Sequence, residues 1–201
     1  KDASISTAKI QDLAVTGAKI ANATITNATG GNGKSGGSGL FGKTMEIISS
    51  AIKAIGGRAT GEESYHTGGA GIAGSESLTI EGNTKVQATG GDATGESGTG
   101  GNGIGSNGTL TIAGGEIQQT TGGNATGTFG TGGSGIRSKI VKILGGIITK
   151  AKGGNATDTN SGDGGHGIYS DGALTISQSE NSKSTTIGTA QGGTSTNGTG
   201  G

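Results

Sequence analysis

The sequence predicts an all-β, elongated repeat protein: a parallel β-helix or solenoid of glycine-rich units about 32 residues long. Three observations carry this expectation. The motif Gly-Gly-x-Gly-[Ile/Leu] starts at Gly36, Gly68, Gly100, Gly132 and Gly164, with every step equal to 32 residues. A short apolar triplet follows each copy. The composition rules out a wide globular core.

The composition sets the class. Glycine fills 49 of 201 positions, against roughly 14 for average usage. Hydrophobic residues make up 27% and aromatics 2%, too little to fill a broad core at native packing density. That leaves disorder or a thin repetitive fold. Charge is 14% with a formal net charge of zero, and the apolar residues are regularly spaced, so order is expected. A neutral chain lacks the basic stripe that nucleic-acid binding requires. Without cysteine there is neither a disulfide framework nor a thiolate metal site. No apolar run approaches the roughly 18 residues of a membrane span, so no membrane insertion is expected. The chain begins at Lys1-Asp2 and stops at Gly200-Gly201, both within a pattern, and reads as a fragment of a longer protein.

Two periods divide the chain. Residues 1–29 form a pentad segment, with Ile5, Ile10, Val15, Ile20 and Ile25 in every fifth place and Ala3, Ala8, Leu13, Ala18 and Ala23 two before them. A period of five suits short strands separated by corners, not a helix or a long strand. So few pentads must stack on something else to bury a core.

Residues 30–201 hold five repeats. The triplets are MEI (45–47), LTI (78–80), LTI (110–112), VKI (141–143) and LTI (174–176). Residues two apart on a strand share a face, so Leu110 and Ile112 point inward and Thr111 outward. Leu78 with Ile80 and Leu174 with Ile176 follow the same rule. A second Gly-Gly comes after each triplet, and then a loop usually opening Ala-Thr. The glycines are expected at corners, where they supply positive φ. Stacked coils would build the ladders Leu40–Ile72–Ile104–Ile136–Ile168 and Ile47–Ile80–Ile112–Ile143–Ile176. The stretch at 177–186 is longer than its counterparts and should bulge. A bundle of polyglycine II helices, as in some phage adhesin tips, would explain the glycine but not the LTI triplets.

The residue types do not favour catalysis, and the chain is expected not to be an enzyme. His66 and His166 sit at different offsets within the repeat, and no acid keeps a fixed relation to either. The loose Gly-x-Gly-x-x-x-Gly in GGNGIGSNG lacks the Lys-Ser/Thr of a phosphate loop. Calcium nonapeptides have Asp where this chain has Ile104 and Ile168. Only Asp158, Asp163 and Asp171 lie close enough in sequence to suggest a single weak calcium site. No cofactor is expected.

The few aromatics stand at defined places. Tyr65 and Phe129 each lie three residues before a Gly-Gly-x-Gly motif, 64 residues apart. Phe41 and Tyr169 directly follow the Ile/Leu of that motif. Exposed aromatics anchor sugars and protein partners, which makes Tyr65, His66, Phe129 and Tyr169 the candidate receptor or glycan contacts.

The stretch ISTAKIQDLAVTGAKIANATIT resembles segments of phage tail fibres and of the tail-tip host-specificity proteins of lambda-type siphophages. That family implies a homotrimer, a virion location and a distal part that meets a host-cell receptor, with no catalytic residues to carry over. The stretches GIGSNGTLTIAGGEIQQTTGG and GIYSDGALTIS resemble coils of right-handed β-helix proteins on bacterial surfaces, some of them carbohydrate-binding. The leading expectation is a structural and receptor-binding part of a phage tail. The alternative is a bacterial cell-surface or secreted adhesin or filament subunit. A β-helix polysaccharide lyase ranks third, because no charged cluster marks one face.

Overall fold

A computed structural model of the chain describes residues 18–61, 65–157, 160–178 and 184–201. The regular structure in these residues is all β, and the strand pairs are parallel. The chain is a β-solenoid with a repeat close to 32 residues.

Both expected ladders are present. Leu40 pairs with Ile72, Ile72 with Ile104, Ile104 with Ile136, and Ile136 with Ile168. Ile47, Ile80, Ile112, Ile143 and Ile176 form the second. Alternation along the strand puts Leu110 and Ile112 fully inside, with Thr111 between them turned outward. Each buried Ile or Leu contributes about 2 kcal/mol, so a core one or two side chains wide suffices when it is continuous along the axis.

The Ile104 coil shows how one repeat runs. Strand Ile104–Thr121 carries two arms joined at a corner. Gly115 turns that corner with φ +81. Ile112 is the last buried residue of the first arm and Ile117 the first of the second, five residues on. The same step of five separates Ile47 from Ile52 and Ile143 from Ile148. It also separates Ile20 from Ile25 in the pentad segment, and these two pair with Ile47 and Ile52. The period of five is therefore the length of this corner. Strands Ala18–Ala21 and Thr24–Thr29 stack directly under the Leu40 coil. The pentads at Ile5, Ile10 and Val15 lie outside the described residues.

Most repeat glycines play a role other than the expected one. The paired glycines are not corner residues with positive φ; the positive-φ glycines are Gly82, Gly95, Gly115, Gly127 and Gly146. The pairs face one another across the coil and form a waist. Gly133 donates to the carbonyl of Gly123 at 2.8 Å, Gly123 to Gly101 at 2.8 Å, and Gly101 to Gly91 at 2.8 Å. This zigzag continues from Gly37 and Gly31 at one end to Gly201 and Gly193 at the other. The first glycine of each pair bonds along the axis instead: Gly68 donates to the Thr99 carbonyl and Gly90 to that of Thr121, each at 2.8 Å. A Cβ on Gly123 would collide with the Gly91 carbonyl, and one on Gly101 with that of Gly69. Close backbone approach, not turning, demands glycine here. The glycine lattice is built into the β-solenoid rather than replacing it.

The waist divides each coil into two lobes. The larger holds the Ile/Leu ladders. The smaller holds a ladder of buried alanines, Ala59, Ala93, Ala125 and Ala156. Its opposite wall is glycine: a Cβ on Gly98 would stand 3.2 Å from that of Ala93, and one on Gly130 3.1 Å from that of Ala125. This lobe is thus about one methyl group thick, which accounts for the recurrent Ala-Thr. Outside it, an Asn/Asp ladder ties coils together: Asp92 Oδ1 accepts from the Asn124 amide at 2.8 Å, and Asn124 Oδ1 from that of Asn155 at 2.9 Å.

The last triplet departs from expectation. Leu174 and Ile176 keep register with Val141 and Ile143 but are 47% and 51% exposed. They point the same way as their counterparts, and no described residue covers them from the far side. Half of the expected bulge at 177–186, residues 179–183, lies outside the described residues; beside it Thr185 Oγ1 donates to the Ser177 carbonyl at 2.9 Å.

Candidate functional site

The free edge of the small lobe gathers three of the four aromatic and histidine candidates. Tyr65, His66 and Thr67 pair with Ser97, Gly98 and Thr99 of the next coil. Alternation sends Tyr65 and Thr67 outward and His66 inward. Phe129 extends the outer column. Its amide donates to the Glu96 carbonyl, the same offset by which the Thr131 amide reaches Gly98, each at 2.8 Å. Because Thr131 pairs with Thr99, Phe129 stands over Ser97 and Ser97 over Tyr65. Tyr65 is 84% exposed and Phe129 51%. Tyr65 lies on a paired strand, and Phe129 lies in a turn, its amide bonded to the coil before.

His66 does not join them on the surface. It is 2% exposed, and its ring packs over Gly61 inside the small lobe. Nδ1 lies 2.8 Å from the Lys34 carbonyl, so this nitrogen carries the proton and donates. Nε2 is buried with no hydrogen-bond partner. The residue is a plug for the lobe where later coils have only Gly98 and Gly130.

Tyr169 lies apart, on the large lobe. Its ring stacks on His166 with centroids 4.7 Å apart and planes 12° from parallel. Arg137, its register partner on the preceding coil, holds its guanidinium carbon 5.4 Å from the ring centre. Arg137 Nη2 is also 2.9 Å from Asp171 Oδ1. The ring is engaged within the protein by stacking and a cation–π contact. Sequence reasoning missed Arg137, although a step of one repeat from Tyr169 finds it, and read Asp171 only as a calcium candidate, not as the partner of Arg137.

The two described carboxylates of the acidic stretch, Asp163 and Asp171, have separate partners. Asp158 lies outside the described residues. Asp171 pairs with Arg137. Asp163 Oδ1 accepts the Thr199 hydroxyl at 2.6 Å and the Thr199 amide at 3.0 Å. These two bonds hold the Asp163 carboxyl below the usual carboxylate range, with a smaller contribution from nearby His166. Among the described residues no group of three His, Cys, Asp or Glu side chains is placed to hold a metal ion. No described helix is long and apolar enough to cross a membrane.

Some of the other charges pair along the axis. Lys43 with Glu76 at 3.0 Å and Arg58 with Asp92 at 3.4 Å each join adjacent coils. Such exposed pairs add little stability. No protein-family model, curated protein or solved structure matches this chain.

Proposed function

We propose that this chain is a structural and receptor-directed segment of a phage tail fibre or tail tip, acting as a stiff spacer that carries exposed contact residues and does no catalysis. The observation that carries this reading is the unbroken ladder running Ile20–Ile47–Ile80–Ile112–Ile143–Ile176. It joins the last two pentads of the fibre-like segment, at Ile20 and Ile25, to the glycine-rich coils in one continuous stack. A spacer needs length with little mass, and the thin core supplies that. Tyr65 and Phe129 are the contact residues toward a host-cell receptor, on the edge of the small lobe. His66 serves that edge from inside by supporting the backbone under Tyr65.

The fibre reading includes a homotrimer and a virion location. Sedimentation of the purified chain tests the first: three times the chain mass is expected. Immunogold labelling with an antibody to the coils tests the second. Gold at the distal tail of virions is the expected result. Gold on the bacterial envelope with bare virions would replace this reading with a cell-surface adhesin.

A further inference from the structure

We infer that the edge of the small lobe is a linear ledge for an extended, β-linked polysaccharide running parallel to the solenoid axis. The inference rests on the receptor-directed reading above and gives the receptor a chemistry. Two parallel rows define the ledge. The first is Tyr65–Ser97–Phe129, in register by strand pairing and by the amide bond from Phe129 to Glu96. The second is Thr67–Thr99–Thr131, two residues further along each strand and on the same face. Residues two apart on a strand place the rows about 6.6 Å from each other.

The spacing along the axis selects the ligand. Adjacent coils are about 4.8 Å apart, so the two aromatic rings, separated by the Ser97 coil, stand about 9.6 Å apart. That is close to the length of two sugar rings in an extended β-linked chain. Alternate rings of such a chain present the same face, so rings one and three can each lay their C–H face on an aromatic ring. The ring between them meets the small Ser97, which leaves room. The threonine row supplies hydroxyls beside the chain that match the donors and acceptors along a sugar's edge.

The chemistry of the surroundings agrees. A neutral glycan needs stacking planes and hydroxyls more than charge, and those are what the two rows offer. Tyr65 is carried on a paired strand and Phe129 on a turn, its amide bonded to the Glu96 carbonyl, so the backbone under both rings is placed before binding. Tyr65, at 84% exposed, has no packing role that would explain an aromatic at this place.

Length-dependent binding tests the ledge. The full chain is immobilised and titrated with β-1,4-linked oligomers of glucose and of N-acetylglucosamine, from disaccharide to hexasaccharide. One series should bind about tenfold tighter from the trisaccharide upward, the factor that a second stacking plane adds. Tyr65→Ala and Phe129→Ala should each erase that step with an unchanged melting temperature, and Tyr65→Phe should keep it. A wild-type chain with no step in either series, or a step that survives both alanine variants, overturns the inference. Cell attachment separates it from the reading on which it rests. Attachment to bacteria that is abolished by protease but not by periodate oxidation of the cell surface overturns the glycan and leaves the receptor-directed role standing. A clear oligosaccharide step in a protein that attaches to no cell supports the ledge and overturns the fibre role alone.

Discussion

Gly133 donates its amide hydrogen to the carbonyl of Gly123 across the waist, at 2.8 Å. Gly123 passes the same bond to Gly101 of the coil before. The two walls of the solenoid are thus laced together along the axis, and neither direction leaves room for a side chain: a Cβ on Gly122 would meet the Gly133 carbonyl across the waist, and one on Gly123 the Gly91 carbonyl along the axis. The waist accepts no added side-chain atom, because the atoms in the way are backbone.

Gly123→Ala and Gly31→Ala therefore separate. Both residues belong to the same glycine column. A Cβ on Gly123 meets the Gly91 carbonyl, whereas one on Gly31, at the end of the column, has nothing within 4 Å. Gly123→Ala should cost about 3 kcal/mol or prevent folding, since backbone cannot shift as a side chain does. Gly31→Ala should change stability by less than about 0.5 kcal/mol. Urea unfolding followed by circular dichroism measures both; similar midpoints would show that the waist is looser than drawn.

How much of this was legible follows from what a single sequence records. The ladder from Leu40 to Ile168 was legible because its members sit 32 residues apart, and parallel stacking turns period into register. The pentad was legible as a spacing, though only the pairing of Ile20 and Ile25 with Ile47 and Ile52 shows it to be a corner. The waist was not legible. A Gly-Gly pair reads first as a turn, and the contact of Gly123 with Gly133 depends on two walls meeting, which no local pattern encodes. Tyr65 and Phe129 were legible as one column because two periods separate them. The burial of His66 was not. Its column partners Gly98 and Gly130 look like loop glycines until the alanine ladder opposite shows an interior one methyl wide.

Position along the ladder should set the cost of truncation. Ile112 is fully buried between Ile80 and Ile143, so Ile112→Ala should lose about 3–4 kcal/mol. Ile176 makes the same kind of contact on one side only and is 51% exposed, so Ile176→Ala should lose about 1 kcal/mol or less. Thermal melts of the two variants check this. Equal losses would mean that something covers Ile176 in solution.

The corner offers a stabilising change. Ser49 occupies the corner of its coil with φ +46, where the later coils place Gly82, Gly115 and Gly146 at φ +68, +81 and +90. A left-handed conformation costs a residue with a Cβ about 1 kcal/mol. The side chain returns little, a 3.4 Å bond from the Asn83 amide to Ser49 Oγ. Ser49→Gly should therefore raise stability by about 0.5–1 kcal/mol. The denaturant midpoint should rise with the slope unchanged. A lower midpoint would assign Ser49 Oγ a larger role in holding the corner.

Acid should release the last described residues before it reaches the core. Asp163 Oδ1 accepts both the hydroxyl and the amide of Thr199, and these bonds depress its pKa in the folded chain. A depressed carboxyl stabilises the fold above its unfolded value, about 3.9, and that contribution is lost as pH falls through the lower folded value. The tie should thus be intact at neutral pH and through pH 5, and should weaken below about pH 4. Thr199 lies beyond the last strand, Thr186–Gln191, and Gly201 is held to Gly193 by a 3.1 Å bond, so loosening should spread through residues 194–201. The Ile112 ladder has no titrating group within it and should remain protected. Amide hydrogen exchange across an acid series reads both regions at once. In Asp163→Asn the acid dependence of the Thr199 amide should vanish; if it persists, another group governs that end of the stack.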